Sequence, residues 1–378
     1  MEKFERQVIV TGLGLSAIGR RLHRGGLDLA LDASLAAIAD AGLQPTDIDG
    51  VASMPFGDRP PEEVVDALGL ELNWMGGANA GAQLGVIINA AMAIAAGLCR
   101  HVLVYRSVAQ LGGLLGSASG DLPEPAGPWE WHVPFHEYSA VNQMAMLARR
   151  HMHLYGTSKE QLGWIALTAR RHAALSEHAV LRSPLTMEEY VAAPMISDPL
   201  GRLDCDLPIE GAVGLVLSSA ETAPDCPHRP VRLQAVGCAN YDTHGWEPRR
   251  DFPAMAAKDA ADQMWGRTEL TPADVDVAEL YDGFSILTLS WLEALGFCQE
   301  GEGGAYVDGG HRIALGGELP LNTYGGQLSA GRLHGFWLFH EAVLQLRGDA
   351  GRRQVADAEV AVTSAGGGFR CGCILLSL

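Results

Sequence analysis

Apolar runs along the chain alternate between short strand-like segments and longer, alanine-rich helical segments. Residues 7–14, QVIVTGLG, have the pattern of a first strand that ends in glycine, and the amphipathic segment LDLALDASLAAIADAGL follows. Residues 230–237, PVRLQAVG, lead into FPAMAAKDAADQMWGRTEL in the same order. Strand and helix therefore alternate twice over, which predicts an α/β protein built from two related halves.

The two halves match most closely at a turn. The segment LQPTDID begins at Leu43, and LTPADVD begins at Leu270. Pro-x-Asp starts a turn or short helix, and the apolar run behind it is a strand. A glycine-rich turn, an apolar helix and a strand then follow in each half: GGANAG leads to HVLVYR, and YGGQLSAG leads to AEVAVTSAGGG. We therefore predict an N-terminal half at 1–228 and a C-terminal half at 229–378.

A region from about residue 109 to 206 interrupts the first half. It contains GPWEWHVPFHEY and two helix-like segments, and we expect an inserted lid of helices and loops over a site. Its aromatic residues, Trp129, Trp131, Phe135 and Tyr138, either cover a bulky apolar substrate or only pack the lid.

Charge and composition exclude several classes of protein. The chain of 378 residues carries a formal net charge of −18, which argues against general nucleic-acid binding. The longest apolar run, LGVIINAAMAIAAGL, is short for a membrane span, and the first residues do not read as a signal peptide. Seven cysteines without a CxxC pair fit a reducing compartment. We expect a cytoplasmic protein without membrane or nucleic-acid partners.

Four segments together resemble one family. DPLGRLDCDLPIEGAVGLVL at 198–217, YDGFS, NTYGGQLSAGRLHG and TSAGGGF are similar to motifs of the thiolase superfamily, in its lipid-transfer and sterol-carrier branch. The resemblance covers nearly the whole chain. It implies a thiolase fold, in which two βαβαβαββ halves form α-β-α-β-α layers, with an inserted loop and helix region.

The chain departs from this family where thiolases do their chemistry. The nucleophilic cysteine position falls at or near Ala80, and Ser364 stands where the acid/base cysteine would be. Arg332 replaces the histidine of the GHP motif, with His334 two residues later, and Tyr281 replaces the histidine of HDCF. Cysteine-dependent Claisen chemistry is therefore expected to be lost.

The pattern resembles the steroid and bile-acid side-chain aldolases, which are thiolase-like but lack the cysteine. The resemblance implies retro-aldol cleavage of a β-hydroxyacyl-CoA into a ketone and a shorter acyl-CoA. Tyr281 is the leading acid/base candidate, provided that a cation such as Arg332 lowers its pKa from about 10. Tyr324 and His334 complete the predicted catalytic set.

Six further positions are predicted to bind substrate, and several have structural alternatives. They are Asn322, Asp282, Ala80, Gly325, Gly326 and Gly367. Asp282 alternatively caps the helix after YDGFS, and Asn322 and Tyr324 alternatively shape a turn. His334 is alternatively a satisfied buried histidine, and Arg332 a surface charge.

No cofactor is expected beyond the CoA of the substrate. His132, His136, His151 and His153 lack carboxylate or cysteine companions at ligand spacing, so no metal site is predicted. The resemblance implies a homodimer that pairs through HVLVYR. It also implies an OB-fold, zinc-ribbon partner in a heterotetramer, with any zinc in that partner. The alternatives are a non-catalytic acyl-CoA or lipid carrier, or a thiolase-like acyltransferase subunit that borrows its nucleophile.

Overall fold

The computed structural model describes residues 3–54, 60–77, 82–109, 127–137, 139–240, 255–368 and 370–378. The strands are β1 (Val8–Leu15), β2 (Gly50–Ser53), β3 (Trp74–Gly76), β4 (His101–Val108), β5 (Met195–Ser197), β6 (Leu200–Gly201), β7 (Gly211–Ser219), β8 (Val231–Asn240), β9 (Val277–Glu279), β10 (Val360–Gly366) and β11 (Arg370–Ser377). The α-helices are α1 (Gly26–Asp40), α2 (Pro61–Leu68), α3 (Gly85–Ala95), α4 (Ala140–Tyr155), α5 (Lys159–Ala173), α6 (Met187–Val191), α7 (Met255–Trp265), α8 (Ser285–Ala294), α9 (Gly303–Val307) and α10 (Gly335–Arg347).

The main sheet is symmetric about its centre. Its nine strands lie in the order β3-β2-β4-β7-β1-β8-β11-β10-β9, and β1 pairs with β8 antiparallel at the middle. Reading outward, β7, β4 and β2 on one side correspond to β11, β10 and β9 on the other. Leu321 forms a parallel bridge with Ala278 of β9, at the place that β3 occupies in the first half. The duplicated α/β fold predicted from the sequence is confirmed.

The matched turns fold alike. Pro45–Asp47 and Pro272–Asp274 are both short 3₁₀ turns. The side chain of Asp47 accepts the backbone N–H of Gln44 at 2.8 Å, and Asp274 accepts that of Thr271 at 2.7 Å. A strand follows each turn, because the carboxylate satisfies an N–H that would otherwise lack a partner and fixes the direction of the chain.

Helices cover the sheet on its outer faces and fill the space between the halves. α1 packs on β1 and β7, and α7 packs on β8 and β11. α10 contacts β10 and β9 of its own half and β7 of the other. A Cβ added at Gly335, the first residue of α10, would lie 2.7 Å from Cβ of Ala365 and 3.3 Å from Cδ2 of Leu84. The start of α10, the end of β10 and the entry to α3 therefore meet at one point.

The inserted segment between β4 and β7 contains α4, α5 and α6. α5 packs against a π-helical turn at Gly326–Ala330, where Nε of Arg170 donates to Oγ of Ser329 at 2.9 Å. Trp131 and Phe135 are 77% and 79% exposed, so these two aromatic side chains are not packed inside the insertion. Tyr138 and the side chain of Trp129 lie outside the described residues.

The strand HVLVYR cannot serve as a dimer edge, and that prediction is wrong. It forms β4, which is hydrogen-bonded to β2 on one side and to β7 on the other. β7 follows β4 only after the long insertion, so no local sequence feature indicates that β4 is enclosed. The outer strand of this half is β3. Among the described helices, none combines the length and apolar character needed to cross a bilayer.

Candidate active site

Tyr281 lies just past the end of β9, in the loop before α8. Its backbone N–H donates to Oγ of Ser364 on β10 at 2.9 Å. Its ring lies over Gly283, where an added Cβ would be 2.7 Å from Cε1 and 3.3 Å from the hydroxyl oxygen. The tyrosine is 9% exposed. Ser364, in the place of the thiolase cysteine, thus fixes the backbone, and Gly283 leaves room for the ring.

A carboxylate that the sequence reasoning did not single out faces the same place. The backbone N–H of Asp206 donates to the carbonyl of Gly283 at 3.0 Å. The next residue, Leu207, donates to Gln327 and accepts from the N–H of Arg332, each at 2.9 Å. The segment is therefore held between the Tyr281 loop and the start of α10.

Asp206 forms an ion pair with Arg332. Nη1 of Arg332 lies 3.2 Å from Oδ1 and 3.5 Å from Oδ2 of the aspartate. Burial raises the pKa of Asp206 to about 6, and the arginine opposes that rise. At neutral pH the aspartate is thus an ionised carboxylate of raised proton affinity. Arg332 is the partner of a site carboxylate and not an isolated surface charge.

The phenol of Tyr281 is held in its neutral form. Burial raises its pKa, and the negative charges of Asp206 and Asp282 add to that rise. Arg332 lowers the pKa as expected, but it does not outweigh burial. The adjacent Gln327 side chain also opposes the rise, although neither polar atom of its amide completes a hydrogen bond with good geometry in the described residues. Tyr281 therefore keeps its proton at neutral pH, so it is a candidate proton donor and not the base.

His334 stands immediately before α10 in a strained backbone conformation. Its φ of 54° and ψ of −155° are unusual for a residue with a side chain. Its Nδ1 is buried and has no hydrogen-bond partner among the described residues. Burial and the charges of Arg106 and Arg332 lower its pKa well below the ordinary value. The imidazole is thus neutral and only weakly basic.

Asp282 caps a different helix from the expected one. The N-cap of α8 is Phe284, whereas Asp282 accepts the backbone N–H groups of Gln327 at 2.9 Å and Leu328 at 3.3 Å. Its side chain is fully buried. Burial raises its pKa to about 7, against the effect of these two N–H donors. The carboxyl therefore holds the π-helical turn against the Tyr281 loop.

Both polar atoms of the Asn322 side-chain amide are hydrogen-bonded to the protein backbone. Its Oδ1 accepts the N–H of Leu280 at 2.7 Å, and its Nδ2 donates to the carbonyl of the same residue at 2.9 Å. The structure places Asn322 at the end of β9 as a clamp, next to the residue that precedes Tyr281. Its φ of 50° fits the asparagine, which adopts this conformation more readily than most residues.

Tyr324, which was predicted to be catalytic, is more deeply buried than Tyr281. It is fully buried, with its ring centroid 4.8 Å from that of Trp337, and its hydroxyl has no partner among the described residues. Burial and three nearby carboxyl groups raise its pKa well above the ordinary value. Its ring therefore packs in the core against Trp337.

The predicted glycines shape the backbone around these side chains. Gly325 and Gly326 both have positive φ, and a Cβ at Gly326 would overlap the carboxyl group of Asp282. Gly367, with φ 143°, follows β10. Ala80 lies outside the described residues, but Ala82 is close enough that a Cβ at Gly366 would lie 2.9 Å from its own Cβ. Ala82 therefore adjoins the C-terminal glycine run.

Two histidines of the insertion, His132 and His151, have partners within the protein. His151 is buried, with Nδ1 2.8 Å from Oγ1 of Thr157 and Nε2 3.0 Å from Oε1 of Glu293. Nδ1 of His132 lies 2.6 Å from Oε2 of Glu137. The described parts of the chain contain no group of three or more side chains placed to hold a metal ion. A cleft of about 540 Å³ between α4 and α8 is lined by none of the candidate site residues.

Comparisons with known proteins identify the family of the chain. A family model described as "Thiolase C-terminal domain-like" matches residues 239–373. A steroid side-chain-cleaving aldolase of Thermomonospora curvata is 34% identical, over 97% of each chain. The chain belongs to the thiolase superfamily. Its motifs place it in the lipid-transfer and sterol-carrier branch of that superfamily.

Two further relatives are similar over almost their whole length. A 17-hydroxy-3-oxo-4-pregnene-20-carboxyl-CoA lyase of Mycobacterium tuberculosis is 35% identical, over 98% of this chain and 99% of that protein. A solved structure, the Ltp2-ChsH2(DUF35) aldolase, superposes with a TM-score of 0.90 at 33% identity, over 98% of this chain and 97% of that one. Because sequence and fold agree from end to end, the site described above can be compared with that of an aldolase.

Proposed function

We propose that this protein is an acyl-CoA lyase that cleaves a β-hydroxyacyl-CoA of a steroid side chain by retro-aldol reaction. The products are a ketone and a shorter acyl-CoA. The observation that carries the proposal is the ion pair of Asp206 with Arg332, which a backbone hydrogen bond to Gly283 holds beside the loop of the neutral phenol Tyr281. A retro-aldol reaction needs one group that accepts a proton and one that donates a proton, and it needs no covalent nucleophile.

The described cysteines support chemistry without a nucleophilic thiolate. Cys205, next to Asp206 in sequence, turns its thiol toward the carbonyl oxygen of Gly201, and burial with the charge of Asp204 raises its pKa to about 12. Cys371 and Cys373 are buried in β11, and burial raises the pKa of both well above the ordinary value. A thiol with a raised pKa is a poor nucleophile at neutral pH.

The side chains around Tyr281 offer a division of roles. His334 is half-buried and neutral, and the start of α3 adjoins the end of β10, where backbone N–H groups at a helix start can stabilise an oxyanion. The thioester oxygen would lie at this point as the enolate forms. Asn322, Tyr324 and Asp282 would hold the loop that carries Tyr281.

The assembly is part of the same proposal. The similar solved structure is titled as an aldolase with a DUF35 component, and we infer an OB-fold, zinc-ribbon partner of that kind for this chain. Any zinc would belong to that partner. A homodimer would pair through the outer strand β3, on which Met75 is 45% exposed. All seven cysteines are unpaired thiols, which supports a cytoplasmic location.

The decisive residue test replaces Tyr281 by Phe. Tyr281→Phe keeps the ring over Gly283 and removes only the proton donor, so kcat is expected to fall by roughly 10² or more. Binding of the acyl-CoA, measured by calorimetry with the same preparation, is expected to persist. A variant that cleaves as fast as the wild type would show that Tyr281 is a wall of the pocket and not the acid.

A further inference from the structure

A retro-aldol step needs a base for the β-hydroxyl proton, and the site contains several groups of that kind. The inference below rests on the proposed function and names this base. The choice lies between the phenol of Tyr281, the imidazole of His334 and the carboxyl groups of Asp282 and Asp206.

Three of the four groups are unsuited to the role. Tyr281 is a neutral phenol, and its ionised form is disfavoured by burial and by Asp206. His334 is a weak proton acceptor beside two arginines. Asp282 is fully buried, and its carboxyl oxygens are occupied by the N–H groups of Gln327 and Leu328. Tyr281 and His334 are therefore poor proton acceptors, and Asp282 has both oxygens engaged in a fully buried place.

We propose that Asp206 is the catalytic base, held beside the Tyr281 loop by its backbone hydrogen bond to Gly283 and oriented by Arg332. The bond from its N–H to Gly283 is 3.0 Å long, and the Tyr281 hydroxyl lies over the same glycine. The side chain of Asp206 keeps 12% of its surface exposed, whereas that of Asp282 has none. Asp206 is thus the accessible carboxylate of the cluster.

The ion pair with Arg332 fixes the direction of that carboxylate. Nη1 contacts both oxygens at unequal distances, 3.2 Å and 3.5 Å, so the contact is with one nitrogen and is not the two-nitrogen fork that would occupy both oxygens fully. The peptide links through Leu207 hold the arginine backbone and the aspartate backbone side by side. Arg332 is therefore a positioning residue that acts through Asp206.

The protons and electrons balance with these two groups alone. Asp206 takes the proton of the β-hydroxyl, the Cα–Cβ bond breaks, and the hydroxyl oxygen becomes that of the ketone. The electron pair of the broken bond forms the enolate of the thioester. Tyr281 gives its proton to Cα, and the proton held by Asp206 restores the phenol. No oxidant, reductant or second substrate is consumed.

The test measures steady-state rates of Asp206→Asn across pH with a β-hydroxyacyl-CoA that has a ring ketone as leaving group. Asparagine keeps the size and the backbone bonds but cannot accept the proton, so kcat is expected to fall by roughly 10²–10⁴-fold. Affinity for a non-cleavable acyl-CoA analogue is expected to stay within roughly threefold. The matched control is Asp262→Asn, an exposed carboxylate on α7, which is expected to leave kcat unchanged.

The pH profile separates a base from a residue that only shapes the site. In the wild type, log kcat/KM is expected to fall as pH drops through about 6, because protonated Asp206 cannot accept a proton. Asp206→Asn is expected to lose that acid limb. Arg332→Gln is expected to move the limb to higher pH, because the arginine holds the pKa of Asp206 down.

Three results would overturn the assignment. If the wild type cleaves and Asp206→Asn cleaves equally fast, the base lies elsewhere and only this inference is wrong. If Asp206→Asn fails to fold, a wild-type profile without a limb near pH 6 overturns the inference by itself. Failure of the wild type to cleave, with analogue binding intact, overturns the proposed function and the inference together.

Discussion

Ser364 occupies the position where the family resemblance places a catalytic cysteine, but its side chain has a structural role. Thiolases carry an acid/base cysteine at the corresponding position, whereas here the hydroxyl of Ser364 accepts the backbone N–H of Tyr281 at 2.9 Å. Both groups are buried. A buried donor without a partner costs more than an average hydrogen bond contributes, so this contact holds Tyr281 strongly in place.

Ser364→Ala is expected to lower the free energy of unfolding by about 1–3 kcal/mol, because the N–H of Tyr281 loses its acceptor. Denaturant unfolding followed by circular dichroism measures the change. Ser290→Ala is the matched control. Ser290 bonds the carbonyl of Ile286 within its own helix, so its removal is expected to change stability by no more than about 0.5 kcal/mol. Equal effects of the two substitutions would show that Ser364 has no special role.

Sequence reasoning found Tyr281, Arg332 and His334 because they occupy motif positions. It did not single out Asp206, although the quoted segment around DCD contains this residue. An aspartate in an irregular loop has no periodic signature, and its value to the site comes from contacts with Gly283 and Arg332, which are distant in sequence. The signal in the sequence is a pair of opposite charges in two separate motifs, Asp206 and Arg332, and a search for such pairs would have found this aspartate.

Among the helices and strands, the sequence predicts the turns that precede two strands but not how closely a helix packs on the sheet. The repeated turns at Pro45 and Pro272 predicted the strands that follow them, because proline and aspartate determine the backbone conformation of the turn itself. The glycines of β1 and β8 carry information that appears only in three dimensions. A Cβ at Gly237 of β8 would overlap the carbonyl oxygen of Ala260 on α7. The glycine therefore sets how closely the helix lies on the sheet.

Gly237→Ala is expected to destabilise the protein by about 1–3 kcal/mol or more, because α7 must move away from the sheet. Thermal and denaturant unfolding report the change. Gly316→Ala is the control, since no atom lies within 4 Å of an added Cβ there. That substitution is expected to stay within about 0.5 kcal/mol of the wild type. A neutral Gly237→Ala would contradict the tight packing of α7 on β8.

On the scale of the whole molecule, the site exists because two halves meet. Tyr281 comes from β9 of the second half, and Asp206 comes from the insertion of the first. The halves are joined at the sheet centre by β1 and β8. A second link lies on the helices, where Nη1 of Arg347 bonds Oδ2 of Asp40 at 2.8 Å. Neither half alone contains a complete acid and base.

The sequence predicted the duplicated fold because each half repeats its strand, turn and helix signals. It could not predict the order in which strands meet across the insertion, and β4 was therefore mistaken for an edge strand. The neighbours of β4 in the sheet depend on where β7 joins it, about a hundred residues later in the chain. The length of the intervening segment carries little information about that position.

Product analysis in D₂O tests whether the protein cleaves a carbon–carbon bond without a thiol nucleophile. The protein, with and without a DUF35-type partner, is given a β-hydroxyacyl-CoA with a ring ketone as leaving group, before and after treatment with a thiol alkylator. Mass spectrometry is expected to show the ketone and a shortened acyl-CoA carrying one deuterium at Cα, unchanged by alkylation. Absence of the ketone while acyl-CoA still binds would indicate a carrier. Loss of cleavage on alkylation would indicate a cysteine-based acyltransferase, and either result would contradict the account.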